Sequence, residues 1–295
     1  MTSRRSFLKT TTLASAGLLI RPSELWKAPA TNIGLQLYTV RDAMQKDPAG
    51  TLKKVAKLGF NTVEGATYTG TQQFYGMAPK AYAQVLKQTG LKMPSSHYIL
   101  GEQKMSGADV KGTVLHEWDK AVDDAATVGI KYMVCAYLFE EERGNLDHYK
   151  QLAEYFNKAG ETCKKAGIQF CYHNHDFEFQ QQEGGRPYDV LLQQADKDLV
   201  KMEMDIYWVS KAGLDPVALM KEHKGRFPLW HVKDMDKTPQ QDFTEVGNGS
   251  INFKEIFKHA GDSGMKYFFV EQDKCPGDPF VSIAKSIKYI KKNLV

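Results

Sequence analysis

Residues 165–175 read KAGIQFCYHNH. An amphipathic helical stretch stops at Gly167, a short connection follows, and an apolar strand begins. The same device recurs in KLGFNTVEG (57–65), QTGLKMPSSH (88–97), TVGIKYMVCA (127–136) and DSGMKYFFVEQD (262–273). Glycine after a helix supplies the left-handed conformation that releases the chain. The strands that follow are apolar on both faces, as strands are when helices cover a parallel sheet.

Working outward, the pattern predicts strands over 33–38, 61–65, 92–97, 131–136, 169–174, 201–205, 228–232 and 266–271. Helices are expected over 48–58, 79–89, 112–128, 146–166, 187–195, 215–222, 252–261 and 280–292. Eight strand–helix units, with no linker or change of composition between halves, predict an α/β fold. The expectation is a single-domain (β/α)8 TIM barrel over residues 31–295, near the usual length of about 250 residues. No G-x-G-x-x-G follows the first strand, so a dinucleotide-binding sheet has no support.

The segment ahead of the barrel reads MTSRRSFLKTTTLASAGLLIRPSELWKAPA. A basic pair (Arg4-Arg5), an apolar run from Thr10 to Ile20 and Ala28-Pro29-Ala30 occur in the order of an export signal. The paired arginines look like the twin-arginine type, which implies a periplasmic or otherwise exported protein. The apolar run is short for a bilayer span, so no membrane span is expected in the mature chain. Cleavage after Ala30 removes five basic residues and one acidic one, and the formal charge of +4 falls to zero. A neutral barrel gives no electrostatic reason to expect nucleic acid as a partner. A homo-oligomer is compatible with the sequence. Cys135, Cys163, Cys171 and Cys275 form no C-x-x-C pair and are expected to be mostly free, buried thiols.

In a barrel of this kind the chemistry sits at the C-terminal ends of the strands. Those ends carry Gln36 and Tyr38, Glu64, His97, Tyr137 with Glu140 beyond, His173 and His175, Asp205 and Trp208, His231 and Lys233, Glu271 and Asp273. So many ionisable groups on one rim call for pairing or a metal. His173, Asp205, His231 and Glu271 end consecutive strands. Two imidazoles and two carboxylates suit one divalent cation, Mn2+ first, with Co2+, Zn2+ or Mg2+ as alternatives. Glu271, His175 and Lys233 are the candidate catalytic groups. His175 reads equally well as a substrate contact or as strand-end packing, and Lys233 as an electrophile or as a partner for Asp234 or Glu271. Gln36, Tyr38, Glu64, His97, Tyr137, Trp208 and Asp273 are candidate substrate contacts, the aromatics as a sugar-stacking floor. The loop VGNGSINF (246–253) reads as a turn with Ser250 or Asn252 capping the next helix, rather than as a cradle for an anion.

GLQLYTVRD, YHNHDFEF, EMDIYWV, HVKD and EQD together resemble the xylose-isomerase-like TIM-barrel superfamily of sugar isomerases and epimerases. The resemblance implies a metal held by His173, Asp205, His231 and Glu271. It implies proton removal beside the carbonyl of a small-molecule sugar. Two departures stand out. The epimerases usually carry a glutamate where this chain has His173, and often a histidine where it has Trp208. A symmetric pair of carboxylate bases is therefore missing. The expected function is a metal-dependent enzyme of the sugar isomerase/epimerase family that enolises its substrate; the first alternative is a dehydratase or lyase acting on 3-keto-glycosides or inosose-like substrates, which the two departures fit better than simple epimerisation. An endonuclease-IV-like phosphodiesterase and a non-catalytic exported sugar-binding barrel are the remaining alternatives. Export favours a non-phosphorylated keto-sugar or related polyol as substrate.

Overall fold

The computed structural model describes residues 32–295 except 103, 106 and 107. The expected export signal at 1–30 lies outside the described residues. Eight parallel strands close a barrel: β1 (Gly34–Gln36), β2 (Thr62–Gly65), β3 (Lys92–Tyr98), β4 (Tyr132–Cys135), β5 (Gln169–His173), β6 (Val200–Asp205), β7 (Leu229–Val232) and β8 (Tyr267–Val270). Each pairs with its sequence neighbours, and β8 closes on β1 through Gly34–Phe269 and Leu35–Val270. Closure needs a glycine there. A Cβ at Gly34 would lie 2.4 Å from the Phe269 ring and 2.6 Å from the Phe268 carbonyl.

The covering helices are α1 (Pro48–Leu58), α2 (Pro79–Thr89), α3 (Trp118–Val128), α4 (Leu146–Lys165), α5 (Pro187–Gln194), α6 (Pro216–Glu222) and, at the C-terminus, α7 (Pro279–Asn293). Between β7 and β8 the expected helix at 252–261 is broken into short turns over Phe253–Ser263. The expected helix at 112–128 starts only at Trp118. Upstream of it, Val114 and Leu115 donate their N–H groups to the carbonyls of Ile99 and Leu100, which forbids helical pairing. Short helices also follow β1 (Arg41–Lys46) and β6 (Ile206–Lys211). Among the described residues no helix is long and apolar enough to cross a membrane. All four cysteines are free, and Cys135, Cys163 and Cys171 are buried.

The main core lies between strands and helices. A small apolar plug of Val134, Cys171, Leu229 and Phe269 fills the barrel below the site. Strand residues two apart share a face. The plug residues therefore aim their i+2 neighbours the same way: Cys171 leads to His173 and His175, Leu229 to His231 and Lys233, Phe269 to Glu271 and Asp273. The barrel's apolar floor and its polar rim are one alternation read upward.

The loop at 246–253 does both things its sequence allows. Asn252 caps the turn after it by accepting from Glu255 N. Its backbone also wraps an anion, and the anion is internal. The Asp234 carboxylate accepts from the N–H groups of Met235 (2.8 Å), Gly247 (2.8 Å), Gly249 (3.0 Å) and Ile251 (3.2 Å).

Candidate metal centre

Asp205 ends β6 and begins a helix, and the two duties divide its oxygens. Oδ1 accepts from Trp208 N at 3.1 Å as an N-cap. Oδ2 is buried, with Lys233 Nζ its nearest partner at 3.0 Å. Around it stand His173 Nε2 at 3.5 Å and His231 Nδ1 at 3.9 Å, with Glu271 Oε2 2.8 Å from His231 Nδ1. Three of the four residues expected as ligands, Asp205, His231 and Glu271, offer donor atoms within 4.8 Å of one another, and His173 stands beside them at Asp205; His173 and Glu271 also line the cavity above.

Each imidazole is held from behind by a carboxylate. His173 Nδ1 meets Glu203 Oε2 at 3.0 Å, and His231 Nε2 meets Glu64 Oε2 at 2.6 Å. Glu64 also accepts from Gln36 Nε2 at 2.8 Å. A carboxylate behind an imidazole fixes the tautomer that leaves the other nitrogen free as a ligand. Burial raises the Glu64 carboxyl, but His97 and His231 outweigh it and bring it down to about 2. Burial carries Glu203 up to about 7.

Two groupings of these side chains have metal-compatible spacing: Asp205, His231 and Glu271, and below them His97, His173, Glu203 and His231. The upper one fits a working metal. Its Glu271 lines the cavity, His173 Nε2 lies 3.5 Å from its Asp205 Oδ2, and Asp205 and Glu271 give it two carboxylates. In the lower one His97 Nε2 already meets Glu203 at 2.8 Å, and Glu203 is fully buried away from any substrate. Lys233 borders the upper set, 3.0 Å from Asp205 Oδ2, 2.7 Å from Glu271 Oε2 and 3.2 Å from Asp273. Burial opposes its charge, but the three carboxylates more than compensate and hold the ammonium well above the ordinary lysine range. Its partners include Glu271, as the sequence suggested. Asp234 is not among them, because its carboxylate is spent on the loop.

A cavity of about 690 Å3 opens over this cluster. His97, His175, Tyr137, Trp208, Lys233, Asp273 and Tyr38 line it as expected. Tyr38 is a rim residue, 44% exposed, with the Arg41 guanidinium 4.3 Å above its ring. Gln36 and Glu64, expected as substrate contacts, lie beneath the cavity instead, fully buried. β1 and β2 are short, so their last side chains stop below the rim and serve His231.

His175 sits in an aromatic nest, 4.7 Å from the Tyr137 ring and 5.4 Å from Trp208 between centroids. Its Nδ1 is buried without a partner, and among the described residues no group bonds its Nε2. Burial first, then the Lys233 charge, holds its pKa well below the ordinary histidine value, so the ring is neutral.

Sequence reasoning missed Glu203, Arg143 and the rings of Phe177 and Phe243. Glu203 carried a signal, since it lies two residues before Asp205 on the same strand and shares its face. Arg143 carried none, because a 3-10 turn at Glu140–Glu142 brings it to the cavity.

Relatives agree with this architecture. The inosose dehydratase of Clostridium perfringens is 28% identical over 167 residues, half of this chain and 56% of the relative. That of Clostridium beijerinckii is 27% identical over 175 residues, 53% of this chain and 56% of the relative. The chain therefore spans a little over half the length of these curated relatives. A sugar phosphate isomerase/epimerase from Parabacteroides distasonis superposes with a TM-score of 0.76 at 30% identity, covering 89% of this chain and 94% of that one. IolI, solved with a zinc atom, shares the fold at 14% identity, TM-score 0.67, covering 89% of this chain and 96% of IolI. The xylose isomerase-like TIM-barrel model matches residues 52–293, and the chain belongs to that family.

Proposed function

We propose that the protein removes the proton beside the carbonyl of a non-phosphorylated keto-sugar or cyclic keto-polyol and then expels a β-oxygen. The observation that carries this reading is His175: a neutral imidazole in the cavity wall with both nitrogens unpartnered among the described residues, beside the Asp205, His231 and Glu271 grouping of metal-compatible spacing. Asp205, His231 and Glu271, with His173 beside them, would hold a divalent cation, which would supply Lewis-acid polarisation of the carbonyl.

His175 accepts the α-proton as the C–H bond breaks, and the electron pair becomes the new C=C bond. The β C–O bond breaks, and the leaving hydroxyl takes the proton from His175 as water. The balance is loss of one water. Lys233 stays charged, so it acts as a hydrogen-bond donor and not as a base. Glu271 is an unsuitable base, because Lys233 and His231 overcome the effect of burial and hold its carboxyl well below the usual range.

Elimination is favoured over epimerisation by the base inventory. Epimerisation needs a second base on the opposite face of the sugar. Here the position an epimerase gives to glutamate is His173, tied to Glu203 and Asp205. The test is NMR of keto-sugars and inososes in D2O with Mn2+. Deuterium exchange at the α-carbon with a dehydrated product supports the reading. Exchange that yields only an epimer assigns the site to epimerisation, and no exchange with any hydroxyketone refutes enolisation.

A further inference from the structure

Arg143 is a half-buried guanidinium in the cavity wall with no acidic side chain bonded to it among the described residues. It is held in place without one. Its plane lies over the Phe177 ring at 3.6 Å, Nε donates to the Leu138 carbonyl at 2.8 Å, and Nη2 donates to the Tyr137 hydroxyl. Those contacts use two of five N–H donors, so three have no acceptor among the described residues. Its charge is felt by the Glu178 carboxyl, which makes no bond to it, and a side chain locked by stacking has little freedom to seek another acceptor for its free donors.

We infer that Arg143 receives a carboxylate carried by the substrate, which makes the substrate an acidic keto-sugar. This rests on the keto-sugar reading above. Arg143 stands on the β4 loop, whereas the metal-type cluster ends β5 to β8, so one ligand can present its hydroxyketone to the cluster and its acid to the guanidinium. The other acids of the cavity do not fill this role. Glu271 and Asp273 are bonded to Lys233, and Asp176, which also lines the cavity, forms no ion pair with Arg143. A planar guanidinium matches a carboxylate with two parallel hydrogen bonds. The same fork can meet a phosphate, and the comparison below separates the two acids.

The test is calorimetric binding of three hydroxyketones to the full chain, with Mn2+ and with EDTA: neutral fructose, 5-ketogluconate and fructose 6-phosphate. The wild type should bind 5-ketogluconate at least about tenfold more tightly than fructose. In Arg143→Met, which keeps a stem on Phe177, that ratio should fall to about one. Arg143→Lys should restore part of it. Equal binding of acid and neutral sugar by the wild type, or an undiminished ratio in Arg143→Met, overturns the inference. Tighter binding of fructose 6-phosphate than of 5-ketogluconate overturns the choice of carboxylate. Because the readout is a ratio of affinities, it stands apart from the D2O exchange test: an enzyme that binds the acid but exchanges no proton fails that reading and not this one.

Discussion

Lys233 Nζ lies 2.7 Å from Glu271 Oε2 and 3.0 Å from Asp205 Oδ2, between the two carboxylates of the upper cluster. An ammonium there and a divalent cation compete for the same negative charge. Asp273, 3.2 Å from Nζ, gives the lysine a second seat when a cation binds. Lys233→Met should therefore tighten Mn2+ binding by about tenfold in titration calorimetry. The metal-free variant should melt lower, because the buried Asp205 and Glu271 and the partly buried Asp273 lose their cation. Unchanged Mn2+ affinity would show that the lysine and the metal do not share those oxygens.

Removing both imidazoles of the cluster tests the centre itself. Wild-type protein incubated with Mn2+, Co2+ or Zn2+ and desalted should hold about one equivalent by elemental analysis. The His173→Ala/His231→Ala variant should hold none. His231 also faces Glu64 at 2.6 Å and Glu203 at 3.2 Å, so its loss should cost roughly 3–5 kcal/mol of stability. His173→Ala alone should lose metal with a smaller change in melting. Two equivalents in the wild type would mean that the lower grouping of His97, His173, Glu203 and His231 is also filled.

The barrel was legible because it rests on a local, repeated signal. Glycine ends a helix and an apolar strand follows, and Gly59, Gly90, Gly129 and Gly264 all adopt the left-handed conformation that signal implies. The rim was legible because strand alternation fixes which residues face inward, and His173, Asp205, His231 and Glu271 meet accordingly. Depth was not legible. Whether Gln36 and Glu64 reach the cavity or stop beneath it depends on strand length and stagger, which no residue pattern encodes. Arg143 escaped for a related reason: its place is set by a turn whose geometry follows from Glu142 accepting from Phe139, Gly101 and Glu102 backbone groups.

Glu178 makes stability depend on pH in an unusual direction for a carboxylate. Burial lifts its carboxyl to about 7 from an ordinary 4.5, against the hydrogen bonds from Tyr172 and the His175 N–H. The folded state therefore holds the proton more tightly than the unfolded chain. Its contribution is fully present below about 4.5 and is lost as pH rises through 7. The upper bound is about 3 kcal/mol. Glu178→Gln, a permanently neutral analogue, should flatten the fall of denaturation free energy between those pH values. A slope identical to the wild type would assign it to other groups. Because Glu178 accepts from the backbone of His175, the variant should also shift the pH profile of α-proton exchange.

Asp234 should matter more than a residue outside the cavity ordinarily does. Its two oxygens gather four N–H groups, from Met235, Gly247, Gly249 and Ile251, and so close the loop after β7. Within that loop Met235 pairs with Phe243, whose ring lines the cavity. Asp234→Ala leaves several partly buried donors without an acceptor and should cost at least ~3 kcal/mol, lowering Tm by roughly 6–12 °C. Asp234→Asn keeps one good acceptor oxygen and should lose about half as much. The same loop can be broken from the other side. A Cβ at Gly249 would lie 2.1 Å from the Met235 carbonyl and 2.3 Å from Asp234 Oδ1, so Gly249→Ala should reproduce the Asp234→Ala melting loss with the carboxylate still present. Both variants should raise KM by displacing Phe243. A normal KM in a destabilised Gly249→Ala protein would show that the loop supports the fold and not the cavity.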